Sequence, residues 1–157
     1  MTLTELIWLS VGCYAVHACE EFMLNWRDWA RAVIKLQVEW SDFYVVNSVV
    51  IVLGVVAAEL AATQPVIALA FPALMLINGI VFHIAQVARA RGRFSPGVIT
   101  AVILFLPAGA ACFMRAARDG VLDAKTALGA FVIAALLMAS PIVFVKLRGL
   151  PYFRQDA

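Results

Sequence analysis

Long apolar runs separated by short polar connections organise the chain: about Leu3 to Leu24, Phe43 to Ala62, Pro65 to Ala88, Pro96 to Met114, and Ala124 to Val145. Each run is close to the roughly 20 residues that, at about 1.5 Å each, cross a hydrocarbon core about 30 Å thick. The runs are continuous rather than alternating, and rich in Ala, Leu, Val and Ile. Backbone groups deprived of water must then pair within each segment as α-helix, not between the short alternating strands of a barrel. The pattern predicts an all-α integral membrane bundle of about five transmembrane helices, a single membrane domain over residues 1–157. Pro72, Pro107 and Pro141 fall inside runs and should bend them. Ser95-Pro96-Gly97 reads as a cap followed by Pro at the first helical position of the fourth run.

The connection after the first run is itself patterned. Trp26, Trp29, Val33, Leu36 and Trp40 recur at helical spacing, while Arg27, Arg31, Lys35 and Glu39 recur every four residues. That predicts one interfacial amphipathic helix, its Trp rings in the headgroup layer and its cations on anionic lipid, roofing whatever lies below. With five spans, Arg27, Arg31 and Lys35 share a side with Arg89, Arg91 and Arg93 and with the tail cations Lys146, Arg148 and Arg154. Positive charge inside puts the N-terminus outside and the C-terminus in the cytoplasm, in a bacterial inner (plasma) membrane. Arg115, Arg118 and Lys125 oppose that bias, although Asp119 and Asp123 accompany them.

Composition narrows the partners. Hydrophobic residues make up 64% of the chain, charged residues 14%, and mean hydropathy is +0.95, more apolar surface than a water-soluble core of this length can hide. Membrane lipid is therefore the expected surrounding, a lipid-like molecule the expected substrate, and self-association as a homo-oligomer is left open. The net charge of +2 is scattered between apolar runs, which argues against a nucleic-acid partner. Cys13, Cys19 and Cys112 make no C-x-x-C pair and read as small packing residues. The first run has no Lys or Arg before it and carries Glu5, so it reads as a retained helix rather than a cleaved leader.

That first run also carries the most chemistry. On a helix, steps of three and four residues fall about 60° to one side and 40° to the other, so His17, Glu20 and Glu21 share a face. A charged carboxylate at the centre of a span costs about 2.5–3.5 kcal/mol on the insertion scale, which drives such groups toward partners inside the bundle. By depth from the same membrane edge, Asn47, His83, Ser95 and Thr100 fall in one layer with them. Gln86 shares the face of His83. Asn78 lies five residues before His83, about 140° away on an ideal helix, and the two meet in one cavity only if the helix is distorted or the cavity wide. Glu59 lies near the opposite edge and reads as interfacial.

The motif His17-Ala18-Cys19-Glu20-Glu21 resembles that of the HXXEE domain family of small multi-span membrane proteins. The resemblance implies a downstream Asn, a later His and a Pro-Gly turn, for which Asn47 or Asn78, His83 and Pro96-Gly97 are the matching positions. It supplies no reaction.

Ligand types suggest one. His17 and His83 with Glu20 and Glu21 offer the nitrogen and oxygen donors of a mononuclear divalent transition metal site, zinc or iron, with an open position. Glu20 and Glu21 are then the candidate catalytic residues, one binding metal and the other serving as general base; Asn47 and Asn78 are secondary candidates. A di-iron site needs about four carboxylates and two Glu-x-x-His pairs, which this layer lacks. The general plan is similar to that of CAAX-type intramembrane glutamate proteases, but their E-E-x-x-x-R motif is absent, since Arg27 follows Glu21 by six residues. The leading expectation is a hydrolytic membrane metalloenzyme. A proton or cation carrier using the same carboxylates, or a structural, partner-binding protein, stands beside it.

Overall fold

The computed structural model describes residues 1–148 together with Leu150 and Tyr152. Of the tail cations, Arg154 and the Arg148 side chain lie outside the described residues. The described chain is helical: α1 (Leu3–Met23), a short α2 (Trp26–Trp29) continued by a π-helical turn (Ala30–Ile34), α3 (Trp40–Glu59), α4 (Pro65–Arg89), α5 (Val98–Arg118) and α6 (Ala124–Arg148). Among the described residues, α3, α4, α5 and α6 are long and apolar enough to cross a membrane. Their length and apolar character make this an integral membrane protein. The expected fifth span, α1, matches them in length, but its polar residues turn inward: Ser10, His17 and Glu21 are buried.

Helix α4 is the hub, packing on α1, α3, α5 and α6. Its apolar character all round suits that place, since an element surrounded by others has no polar face to keep. Leu69, Leu74 and Met75 are fully enclosed, and Ile7 of α1 and Phe105 of α5 complete the centre. The close approach of α3 has a local cause: a Cβ on Gly54 would lie 2.7 Å from the Phe71 ring and 2.8 Å from Val11. Helix α6, by contrast, packs mainly on α4 and leaves Leu128, Leu136 and Phe144 exposed to the surroundings.

Two helices open into wider turns at one level. Residues Asn78–Ile84 of α4 and Ala101–Phe105 of α5 are π-helical, and they pack on each other, with the Gly79 backbone against Ala101 and Phe105. Pro107 contributes to the second: its ring crowds the carbonyl four residues back, at Ile103, and it offers that carbonyl no N–H. The first has a geometric result. Hydrogen bonds from i to i+5 bring residues five apart into register, so Asn78 and His83, opposed on an ideal helix, come to line one cavity.

The roofing helix is shorter than the Trp and Arg spacing predicts. It stops at Lys35, whose φ of 58° is left-handed, and the chain then runs without regular structure to Glu39 before Trp40 opens α3. The reversal is fixed by charge: the Glu39 N–H donates to Asp42 Oδ2 (2.8 Å), while Arg31 donates to the Val38 carbonyl and pairs with Glu39. Upstream, Asn25 turns the chain at φ 57°, and the Arg27 guanidinium and Asn25 amide hold the Asp28 carboxyl below the usual carboxylate range. The segment still covers something, because Trp26, Leu36 and Val38 all line the cavity that Asn78 and His83 enter.

Candidate metal centre

Three side chains from two helices meet below this strap. His17 and Glu21 stand one turn apart on α1, and His83 reaches them from the π-helical turn of α4. Both imidazoles are fully buried and Glu21 is 6% exposed. The rings cross edge to face with centroids 4.8 Å apart. Glu21 Oε1 lies 3.6 Å from His17 Nε2 and 3.4 Å from His83 Nε2, and the three ligand atoms fall within 4.8 Å of one another.

Hydrogen bonding assigns the ring tautomer of His17. Thr100 Oγ1 is 2.5 Å from Glu20 Oε2, and a hydroxyl has one proton to give, which a carboxylate takes in preference to the Gly97 carbonyl at 3.3 Å. The 2.8 Å contact between His17 Nδ1 and the same hydroxyl oxygen must then be donated by the ring N–H. That leaves the Nε2 lone pair directed at Glu21. In His83 the Nδ1 is engaged by Ser95 Oγ at 3.2 Å. Both Nε2 atoms are buried with no hydrogen-bond partner among the described residues.

Such an arrangement asks for a cation. Two imidazole nitrogens and a carboxylate oxygen converge on one point, and a buried polar atom without a partner costs about 1–3 kcal/mol. Ligands about 2.0–2.1 Å from a tetrahedral ion lie about 3.3 Å from each other, close to the 3.4 and 3.6 Å found here. The group can hold a metal ion. His₂Glu is also a donor set used by catalytic zinc, with a fourth position left for water or substrate.

Glu20 is placed elsewhere. Its carboxylate accepts from the N–H groups of Gly97 (3.0 Å), Ile99 (3.3 Å) and Thr100 (2.8 Å) as well as from the Thr100 hydroxyl. It is thus the N-terminal cap of α5, supplied by another helix, where negative charge suits the helix dipole. Ser95, which the local pattern assigns to that cap, instead turns to His83. Asn47 accepts from Tyr14 Oη (2.9 Å) and donates to the Phe43 carbonyl. Gln86 donates to the Val81 carbonyl. Asn78 keeps a buried Oδ1 with no partner among the described residues.

Sequence reasoning placed Ser95 and Thr100 in the layer but not their roles in orienting the two rings. Gly97 was visible only within its Pro-Gly pair. Its φ is 95°, and an added Cβ would meet His83 Cε1 at 2.6 Å, His17 Cε1 at 2.8 Å and Glu21 Cγ at 3.0 Å. The backbone at Gly97 therefore forms the floor against which all three candidate ligands rest. A cavity of about 290 Å³ adjoins them, with Glu21, His83, Asn47 and Asn78 in a wall that is otherwise mostly apolar.

Comparison with curated proteins and with solved structures finds no match. A family model described as "Protein of unknown function with HXXEE motif" matches residues 8–112, more than half of the chain and all of the cluster just described. The chain belongs to the HXXEE-motif family.

Proposed function

We propose that the protein is a membrane-embedded metalloenzyme in which His17, His83 and Glu21 hold one divalent transition metal, zinc or iron, and that it hydrolyses a lipid-like substrate. The observation that carries this reading is the pair of buried, unpartnered imidazole Nε2 atoms converging with a carboxylate. The ion would supply Lewis acidity toward a carbonyl or phosphoryl oxygen of the substrate. Glu21 also lines the cavity, and the carboxylate oxygen that does not bind the ion would accept a proton there. Glu20 is a positioning residue: through Thr100 it fixes the tautomer and orientation of His17, the role that hydrogen-bonded carboxylates commonly play behind metal-binding imidazoles. By the cation distribution in the connections, the site belongs to the cytoplasmic leaflet.

Elemental analysis of detergent-purified protein is expected to find about one zinc or iron per chain, lost in the His17→Ala, His83→Ala double variant. Chelation should abolish hydrolysis of single-chain esters in nanodiscs, and restoring the metal should recover it. A metal-free preparation that turns over without added ions would end this reading. Proton flux into liposomes that stops with Glu21→Gln would replace it with a carrier.

A further inference from the structure

Arginine is crowded where carboxylates are missing. Arg89, Arg91 and Arg93 stand together on the connection from α4 to α5, and the sequence holds no Asp or Glu between Glu59 and Asp119. All three are exposed, and among the described residues none of their guanidinium groups has an ion pair. The connection leads into the head of a span, α5, so these charges lie at the membrane surface, where anionic lipid supplies counter-ions.

One of the three faces a groove. Arg93, Phe94 and Pro96 form one wall; the end of α1 and the strap form the other through Leu24, Asp28 and Trp29. Asp28 is the acid in that lining, and its charge is already matched, because Arg27 pairs with it at 2.7 Å and the Asn25 amide donates to it at 2.6 Å. Glu20, one turn back on α1, does not line the groove and is held by the head of α5. Lys35 stands at the rim, where its Nζ donates to the carbonyl of Ala32, another lining residue. Arg93 and Lys35 therefore leave the groove with positive charge that no carboxylate balances among the described residues. The wall also contains a donor in want of an acceptor, since Trp29 Nε1 is buried with no partner among the described residues. Leu24 and Phe94, 45% and 46% exposed, set apolar surface beside the charge.

We propose that this groove binds the phosphate of an anionic phospholipid, at a site separate from the metal centre and independent of its chemistry. The phosphodiester oxygens lie on the Arg93 guanidinium, whose planar fork suits two of them, with Lys35 at the rim. The glycerol and the upper acyl chains lie on Leu24 and Phe94, contacts that a soluble phosphate cannot make. Because the two walls come from different segments, the bound head joins the strap to the α4-to-α5 connection.

Native mass spectrometry of the full chain, delipidated and then given equal amounts of dioleoyl phosphatidylglycerol and dioleoyl phosphatidylcholine, tests this. One phosphatidylglycerol per chain should be retained, about tenfold or more above phosphatidylcholine, the weight of a hydrogen bond between charged groups. Arg93→Gln should remove that preference, and so should Ala32→Glu, which puts a carboxylate into the groove. Arg118→Gln, an equal loss of charge at the far end of α5, should leave it unchanged. All three variants should melt with the wild type in the absence of lipid, since the altered side chains are exposed. Glycerol phosphate separates a lipid headgroup from free phosphate: at millimolar concentration it should leave the phosphatidylglycerol bound. Displacement of the lipid by micromolar glycerol phosphate would overturn the lipid assignment. Equal retention of the two lipids, or the same loss in Arg118→Gln as in Arg93→Gln, would overturn the site.

Discussion

A Gly97→Ala protein is expected to lose most of its metal and roughly 2–6 kcal/mol of stability, the sum of about 1–3 kcal/mol of backbone strain and about 1–3 kcal/mol of overpacking. The added methyl group would sit 2.6 Å from His83 Cε1 and 2.8 Å from His17 Cε1. Neither ring can yield freely, because Thr100 holds one by its Nδ1 and Ser95 the other. Relief would have to come from pulling the two Nε2 atoms away from Glu21. Gly92 provides the control, since its φ of 87° imposes a similar backbone strain while nothing lies within 4 Å of the position an added Cβ would take. Gly92→Ala should therefore lower the melting temperature in detergent and leave metal content unchanged. If the two variants melt alike and both bind metal fully, Gly97 does not support the site.

The second large effect separates two adjacent glutamates. Glu20→Ala would leave three backbone N–H groups at the head of α5 without their acceptor and release the Thr100 hydroxyl from its position under His17. Hydrogen bonds to a charged group contribute about 1.5–3 kcal/mol each and do not add fully, so a loss of about 3 kcal/mol is expected in equilibrium unfolding. Metal affinity should fall by roughly 10–100-fold through the misoriented imidazole. Glu21→Ala should do the reverse: the metal-free protein unfolds within about 1 kcal/mol of the wild type, because a desolvated carboxylate without a close ion partner contributes little, while metal binding disappears. Equal behaviour of the two variants in both measurements would contradict the roles assigned to them.

These two glutamates also show how far sequence carries. The runs themselves were legible because lipid forces every backbone group to pair locally, and the observed helices begin and end within a few residues of the apolar limits. The pairing of His17 with Glu21 followed from a spacing of four on a regular helix. Glu20 shares that face, yet its partner is the head of α5, nearly eighty residues away, and no local spacing reports which of two carboxylates a distant helix end will take. His83 was placed by depth alone. That Asn78 would join it depended on the wider turn over Asn78–Ile84, which changes the angle between residues five apart and leaves no mark in a 3.6-residue pattern. The strap misled for a related reason: Leu36 and Trp40 keep helical spacing, but the left-handed turn at Lys35 and the charge pairs of Glu39 end one helix and begin another between them. Side chains that line a cavity and side chains on one helical face look alike until the backbone is seen.

The central claim is that His17, His83 and Glu21 form one metal centre, and X-ray absorption at the edge of the bound metal tests it most directly. For the zinc-loaded protein the account predicts two imidazole ligands at about 2.0–2.1 Å and a carboxylate oxygen at about 2.0–2.2 Å, with one imidazole lost in His83→Ala. A metal sphere without imidazole, or one that is unchanged by His83→Ala, would contradict it.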